Sequence, residues 1–142
     1  MTDEKEYKIP QVSEALFVEL RGLRNSVRKL GFQRQLELSE SIFKKHPENW
    51  MVMLFEGDFQ FHTGKIAECI KTYSLVAKMV QDLPFSDADR KYVGAYLSYR
   101  KIAIEFVQKK HDFKHWTLLR KEISAIPANP RIRAIFEVIV PT

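Results

Sequence analysis

The chain has 142 residues, 45% of them hydrophobic, which suits one globular domain with a real core and excludes a wholly disordered segment. A single cysteine, Cys69, excludes an intramolecular disulfide, and no apolar run is long enough to span a bilayer. The formal net charge is +5, and it is uneven: residues 98–142 hold 9 basic and 4 acidic side chains, so the whole excess lies in the C-terminal third.

The opening residues MTDEKEYKIP are too polar and charged for a secretory signal, so residues 1–9 read as a flexible tail and residues 10–142 as a single domain. Pro10 opens the folded region and Ser13 is a helix N-cap candidate. Leu16, Leu20, Leu23, Val27 and Leu30 then step by four, three, four and three, which predicts a helix over about residues 13–30 that Gly31 stops. A second helix is expected over about residues 32–45, with Leu38, Ile42 and Phe43 apolar. Lys44, Lys45 and His46 complement its C-terminal dipole, and Pro47 cannot continue it.

Residues 49–80 read as two amphipathic helices joined at Thr63-Gly64, where glycine takes a left-handed turn without a Cβ clash. In the second of the pair, Ile66, Ile70, Tyr73, Ala77 and Val80 mark the expected buried face. A loop around Pro84 leads to Ser86-Asp87-Ala88-Asp89, which has the spacing of a capping box. A long helix follows, to about residue 109, with Tyr92, Tyr96, Tyr99, Ala103 and Phe106 on one face. Gly94 inside it costs about 1 kcal/mol against alanine, which suggests the close approach of a neighbour. His111-Asp112 forms a turn, and Phe113 to Ile126 a sixth helix with Trp116, Leu119, Ile123 and Ile126 inward. After Pro127 and Pro130, the segment from Arg131 has the β-branched content of a strand, but the all-helical context favours a short capping helix.

A helix–turn–helix unit of this size cannot bury its apolar face alone and must stack on neighbours. The spacing of Gly57, Gly64, Cys69, Tyr73 and Val76 resembles the tetratricopeptide repeat, over roughly residues 13–126. Met53, Glu56 and Gln60 stand where that family prefers Trp, Leu and Tyr. The resemblance implies an all-α fold in which antiparallel helix pairs stack as a short right-handed solenoid with a C-terminal capping helix. It also implies a scaffold or adaptor, a subunit of a larger complex, whose first helices line a groove for a protein or peptide partner. Met51, Phe55 and Asp58 would stand at the centre of that groove, flanked by Arg21, Asn25, Tyr99 and Arg100. Arg21 and Asn25 match the first-repeat positions of the family's carboxylate clamp, but Phe55 replaces its second asparagine, so the clamp is incomplete.

The helix around Trp50, Met51, Met53, Phe55, Phe59 and Phe61 has more apolar mass than one face holds. Most of it belongs to the core, and the remainder suits a partner-binding patch or a homodimer contact. The second functional reading is RNA or DNA binding through a basic face of Lys109, Lys110, Lys114, Arg120, Lys121, Arg131 and Arg133; its plain counterpart is a solvated surface. Chemistry finds little support. His111 and His115 have a zinc-like spacing around Asp112, but no third ligand accompanies them. Cys69 lacks a base, and neither a phosphate-binding glycine loop nor a nucleophile elbow is present. No catalytic residue, metal or cofactor is therefore expected. A lone cysteine and the lack of a membrane span suit the cytoplasm or nucleus.

Overall fold

The computed structural model describes residues 9–25, 32–108 and 113–136. These residues form seven helices: α1 (Glu14–Asn25), α2 (Phe32–Lys45), α3 (Trp50–His62), α4 (Ile66–Asp82), α5 (Asp87–Val107), α6 (Phe113–Ala125) and α7 (Pro130–Phe136). The described part of the chain is all-α. Its residues gather into two compact units, one of Gln11–Val76 and one of Ala77–Thr142 with Met1–Pro10, and the division falls inside α4.

In the unit Gln11–Val76, α1 packs on α2 and α2 on α3. Ser13 caps α1 as its sequence position suggests, its Oγ accepting the Leu16 N–H at 3.1 Å. Leu16, Leu20 and Leu23 are buried as expected, and Phe17 joins them. The expected continuation through Val27 and Leu30 to Gly31 lies outside the described residues. On α2, Ile42 and the small hydroxyl residue Ser39 are buried, while Leu38 and Phe43 are half-buried.

Helix α3 carries apolar residues on more than one face, and Trp50, Met51, Val52, Leu54, Phe55, Gly57 and Asp58 are buried. A helix start buried to this degree must find acceptors for its free N–H groups. Asn49 supplies one: its Oδ1 accepts the Met51 and Val52 N–H groups at 3.0 and 3.2 Å. Gln11 supplies the next, its Oε1 accepting the Trp50 N–H at 3.3 Å while its carbonyl accepts Asn49 Nδ2 at 2.7 Å. Gln11 reaches this position in the left-handed region, at φ 65°. At the other end Gly64 sits at φ 81°, its N–H on Phe61 O and the Lys65 N–H on Gln60 O. That pair of bonds is the Schellman arrangement, and it explains why glycine stands there.

The buried stripe of α4 is Cys69, Thr72, Tyr73, Val76 and Val80. This corrects the expected face in one respect: Ile70 is 44% exposed and Ile66 half-buried, while Cys69 and Thr72 take the inward positions. Both phases satisfy a four–three rhythm, and the larger side chains outweighed the small ones in the sequence pattern.

In the other unit, α5 packs on α6. Ser86 caps α5 by accepting the Asp89 N–H at 3.2 Å. The reciprocal half of the capping box is diverted, because the Asp89 carboxylate accepts the Asn129 N–H at 2.6 Å instead. Tyr92, Tyr96 and Tyr99 are buried on α5, and Leu119 and Ile123 on α6, with Ile126 just beyond its end, as their spacing predicts. The ambiguous segment after Pro130 starts as a helix. Asn129 Oδ1 accepts the Arg131 N–H at 2.9 Å, and Pro130 takes the first helical position, where its missing N–H costs nothing. Ile132, fully buried, anchors this short helix.

Gly94 has no close neighbour. A Cβ built there meets nothing within 4 Å, and the residue is exposed. Gly94→Ala is therefore expected to stabilise the protein by about 0.5–1 kcal/mol through backbone entropy. Equilibrium urea unfolding checks it; a destabilised variant would mean that a neighbour does approach this turn.

Candidate functional site

A second polar cluster in the unit Gln11–Val76, besides the Gln11–Asn49 cap, lies where α3 and α4 meet. Gly57 lets the helices close, because a Cβ at that position would lie 2.6 and 2.9 Å from ring atoms of Tyr73. The Tyr73 hydroxyl donates to the Asp58 carboxylate, both residues being buried. Beside it, Thr72 Oγ1 donates to Gln60 Oε1 at 2.8 Å. These bonds satisfy polar groups that the crossing takes out of water, so the cluster fixes the register of the two helices. Its chemistry is structural.

The positions expected to line a groove fall elsewhere. Met51 is fully buried, Phe55 and Asp58 nearly so, and Tyr99 and Arg100 are buried as well. They are interior side chains, which corrects the assignment of Met51, Phe55, Asp58, Tyr99 and Arg100 as partner-facing. On α3, apolar residues occupy more than one face, and the helix has no fully exposed residue except His62 at its end. Arg21 is exposed on α1. Asn25 is the last described residue of α1, and its side chain lies outside the described set.

The least buried stripe of α3 is Met53, Glu56 and Gln60, all half-buried. Phe59, next to it, meets Phe43 of α2 edge-on at 6.3 Å between ring centres. Burial raises the Glu56 carboxyl above its ordinary 4.5. The folded state thus prefers the protonated acid, and this contribution is present below the ordinary carboxyl range and lost as pH rises through the raised value. Glu56→Gln is accordingly expected to gain stability over the parent chain progressively from acid to neutral pH. Paired denaturation curves across that range test it; a difference independent of pH would rule it out.

The basic face divides into different environments. Lys114 and Lys121 are exposed on α6, and Arg120 and Arg131 are half-buried. Arg133 serves the fold: its Nη2 donates to Ser124 O at 3.0 Å and to Ile126 O, and its guanidinium lies 5.5 Å from the centre of the Tyr92 ring. It caps the open carbonyls at the end of α6 and stacks on α5, a combination that holds α7 in place. Lys109 and Lys110 lie outside the described residues, as do His111 and Asp112 of the histidine pair and the side chain of His115.

Among the described residues, no group of three His, Cys, Asp or Glu side chains could hold a metal ion. Cys69 is fully buried and forms no disulfide. Among the described residues, the large apolar side chains that face solvent are Val18 on α1, Ile70 and Leu75 on α4, and Leu118 on α6. Within α4, Ile70 and Leu75 project from opposite edges of the exposed face, five residues apart, so they do not form one patch. No described helix is long and apolar enough to cross a membrane. No family model matches the chain, and no curated protein or solved structure matches it.

Proposed function

We propose that this chain is a non-catalytic protein-interaction module, an adaptor or scaffold subunit built from tetratricopeptide-like helix pairs stacked as a short right-handed solenoid. The observation that carries the reading is the α3–α4 crossing. Gly57 and Tyr73 stand at the small and aromatic positions of the resemblance, and a Cβ on Gly57 would collide with the Tyr73 ring. Helix pairs closed in this way serve as rigid units that present side chains to a partner. Since Met51, Phe55 and Asp58 are interior, partner contacts fall to exposed helix faces, with Arg21 and Val18 on α1 among the candidates. A second copy of the chain is one admissible partner. Nucleic-acid binding is the weaker reading, because Arg133 is engaged with the α6 carbonyls and with Tyr92. The lone thiol, Cys69, suits a reducing compartment, cytoplasm or nucleus.

The test is purification of the tagged full chain from its native cells, identification of the bound protein, and reconstitution with that protein in pure form. A complex of fixed stoichiometry on light scattering is the expected result. A chain that runs in extract at the mass of a single copy, with nothing bound, removes the proposal.

A further inference from the structure

We propose that the solvent-facing seam of α6, formed by Lys114, Leu118, Lys121 and Ala125, docks an acidic amphipathic helix of a protein partner; this rests on the interaction-module reading and names its surface. The four residues step by four, three and four, so they share one side of the helix over two to three turns, roughly 16 Å. All four are exposed, and Leu118 keeps 53% of its surface in water. Leu119 and Ile123, on the other side of α6, are the residues that pack inward. The seam is thus a second, outward side to a helix whose first side is already used.

The composition of the seam selects the partner. The 4–3–4 rhythm is that of a paired-helix seam, in which a leucine seats in a hole of the facing helix and a small residue lets the backbones approach. Here Leu118 and Ala125 supply those two features, and the lysines sit on either side of Leu118. A facing helix must therefore place acids seven residues apart, with an apolar residue between them. Among the described residues no ion pair engages Lys114 or Lys121. Glu122, the one acid in α6, lies at the edge of the seam rather than along it. The positive excess of residues 98–142 draws an acidic segment toward this part of the chain.

Other occupants fit less well. Two copies of the seam would gather four lysines without an acid. A phosphate backbone gains nothing from Leu118, and the arginine best suited to grip it, Arg133, is bound to carbonyls of the chain itself.

The experiment uses the full chain and three fluorescein-labelled probes. One is an alanine-rich peptide of about five helical turns carrying two glutamates seven apart with leucine between. The second has lysine in place of glutamate, and the third is single-stranded oligouridylate. Anisotropy should show saturable binding of the acidic peptide alone. K114E/K121E should weaken it about tenfold or more and transfer binding to the lysine peptide, while L118Q weakens it to a similar extent. Thermal melts should be unchanged, because these side chains are exposed. Failure of the acidic peptide to bind, equal binding by K114E/K121E, or preferential binding of the RNA overturns the proposal. If the seam fails while a native protein still forms a complex of fixed stoichiometry, the interaction module stands and its surface lies elsewhere; failure of both removes both.

Discussion

Gly57→Ala should destabilise the protein by about 2–3 kcal/mol and lower its thermal midpoint by roughly 6–10 °C. In an open helical position the same change is favourable, as expected at Gly94, so the sign depends on space alone. At Gly57 the space is taken. The new methyl would lie 2.6 Å from Cε1 and 2.9 Å from Cδ1 of Tyr73, with Thr72 Cγ2 at 3.4 Å. The ring cannot simply swing away, because its hydroxyl is bonded to Asp58, the residue beside Gly57, and both are buried. Relief therefore requires the helices to part or the buried carboxylate to lose its donor. Either costs as much as the overpacking it avoids. A double-mutant cycle isolates the cause: in a Tyr73→Val background the ring is gone, and Gly57→Ala should cost little or nothing. An equal penalty in both backgrounds would trace the requirement for glycine to the backbone.

Much of the fold could be read because its boundaries are chemically marked. Ser13, Gly64 and Ser86 end or begin helices by mechanisms that a sequence displays openly. Asn129-Pro130 is a marker of the same kind, an N-cap followed by a first-turn proline. The β-branched residues after it suit a strand, but the all-helical context favours the short capping helix, and α7 is a helix. The spacing places Asn49 inside its helix, whereas its side chain caps it, and its second partner, Gln11, is remote in sequence. The phase of α4 was harder. Ile70 looks like a core residue, yet Cys69 and Thr72 are inward, since the Gly57 crossing leaves room for small side chains and pairs Thr72 with Gln60. Such long-range fits leave no local trace.

The candidate surface was less legible than the fold. A helix with apolar residues on more than one face gives no direction, so the open stripe of α3 is not legible in its own spacing. Similarly, charge counts treated Arg133 and Lys121 alike, though one is a structural cap and the other is exposed. Only coordinates separate a cation that serves the chain from one free to serve a partner.

Met51→Asp should unfold the protein, at a cost of about 4 kcal/mol or more, a large share of the stability of a domain this size. Met51 has no exposed surface, and its neighbours in sequence, Trp50 and Val52, are equally buried. A carboxylate there must stay ionised without water or take up a proton, and both options penalise the folded state. The N-terminus of α3 offers a favourable dipole, but the Met51 N–H is already held by Asn49 Oδ1. Phe55→Asp should behave in the same way. Far-ultraviolet circular dichroism and urea unfolding give the readout: loss of the cooperative transition is expected, and a native-like melt would show that Met51 faces solvent after all. Val18→Asp, at a position 59% exposed, should change stability by less than about 0.5 kcal/mol. The contrast bears on how partners are to be mapped. Lost binding in Met51→Asp or Phe55→Asp reports an unfolded chain, whereas the same loss in a folded chain altered at Val18, Leu118 or Lys121 locates a surface.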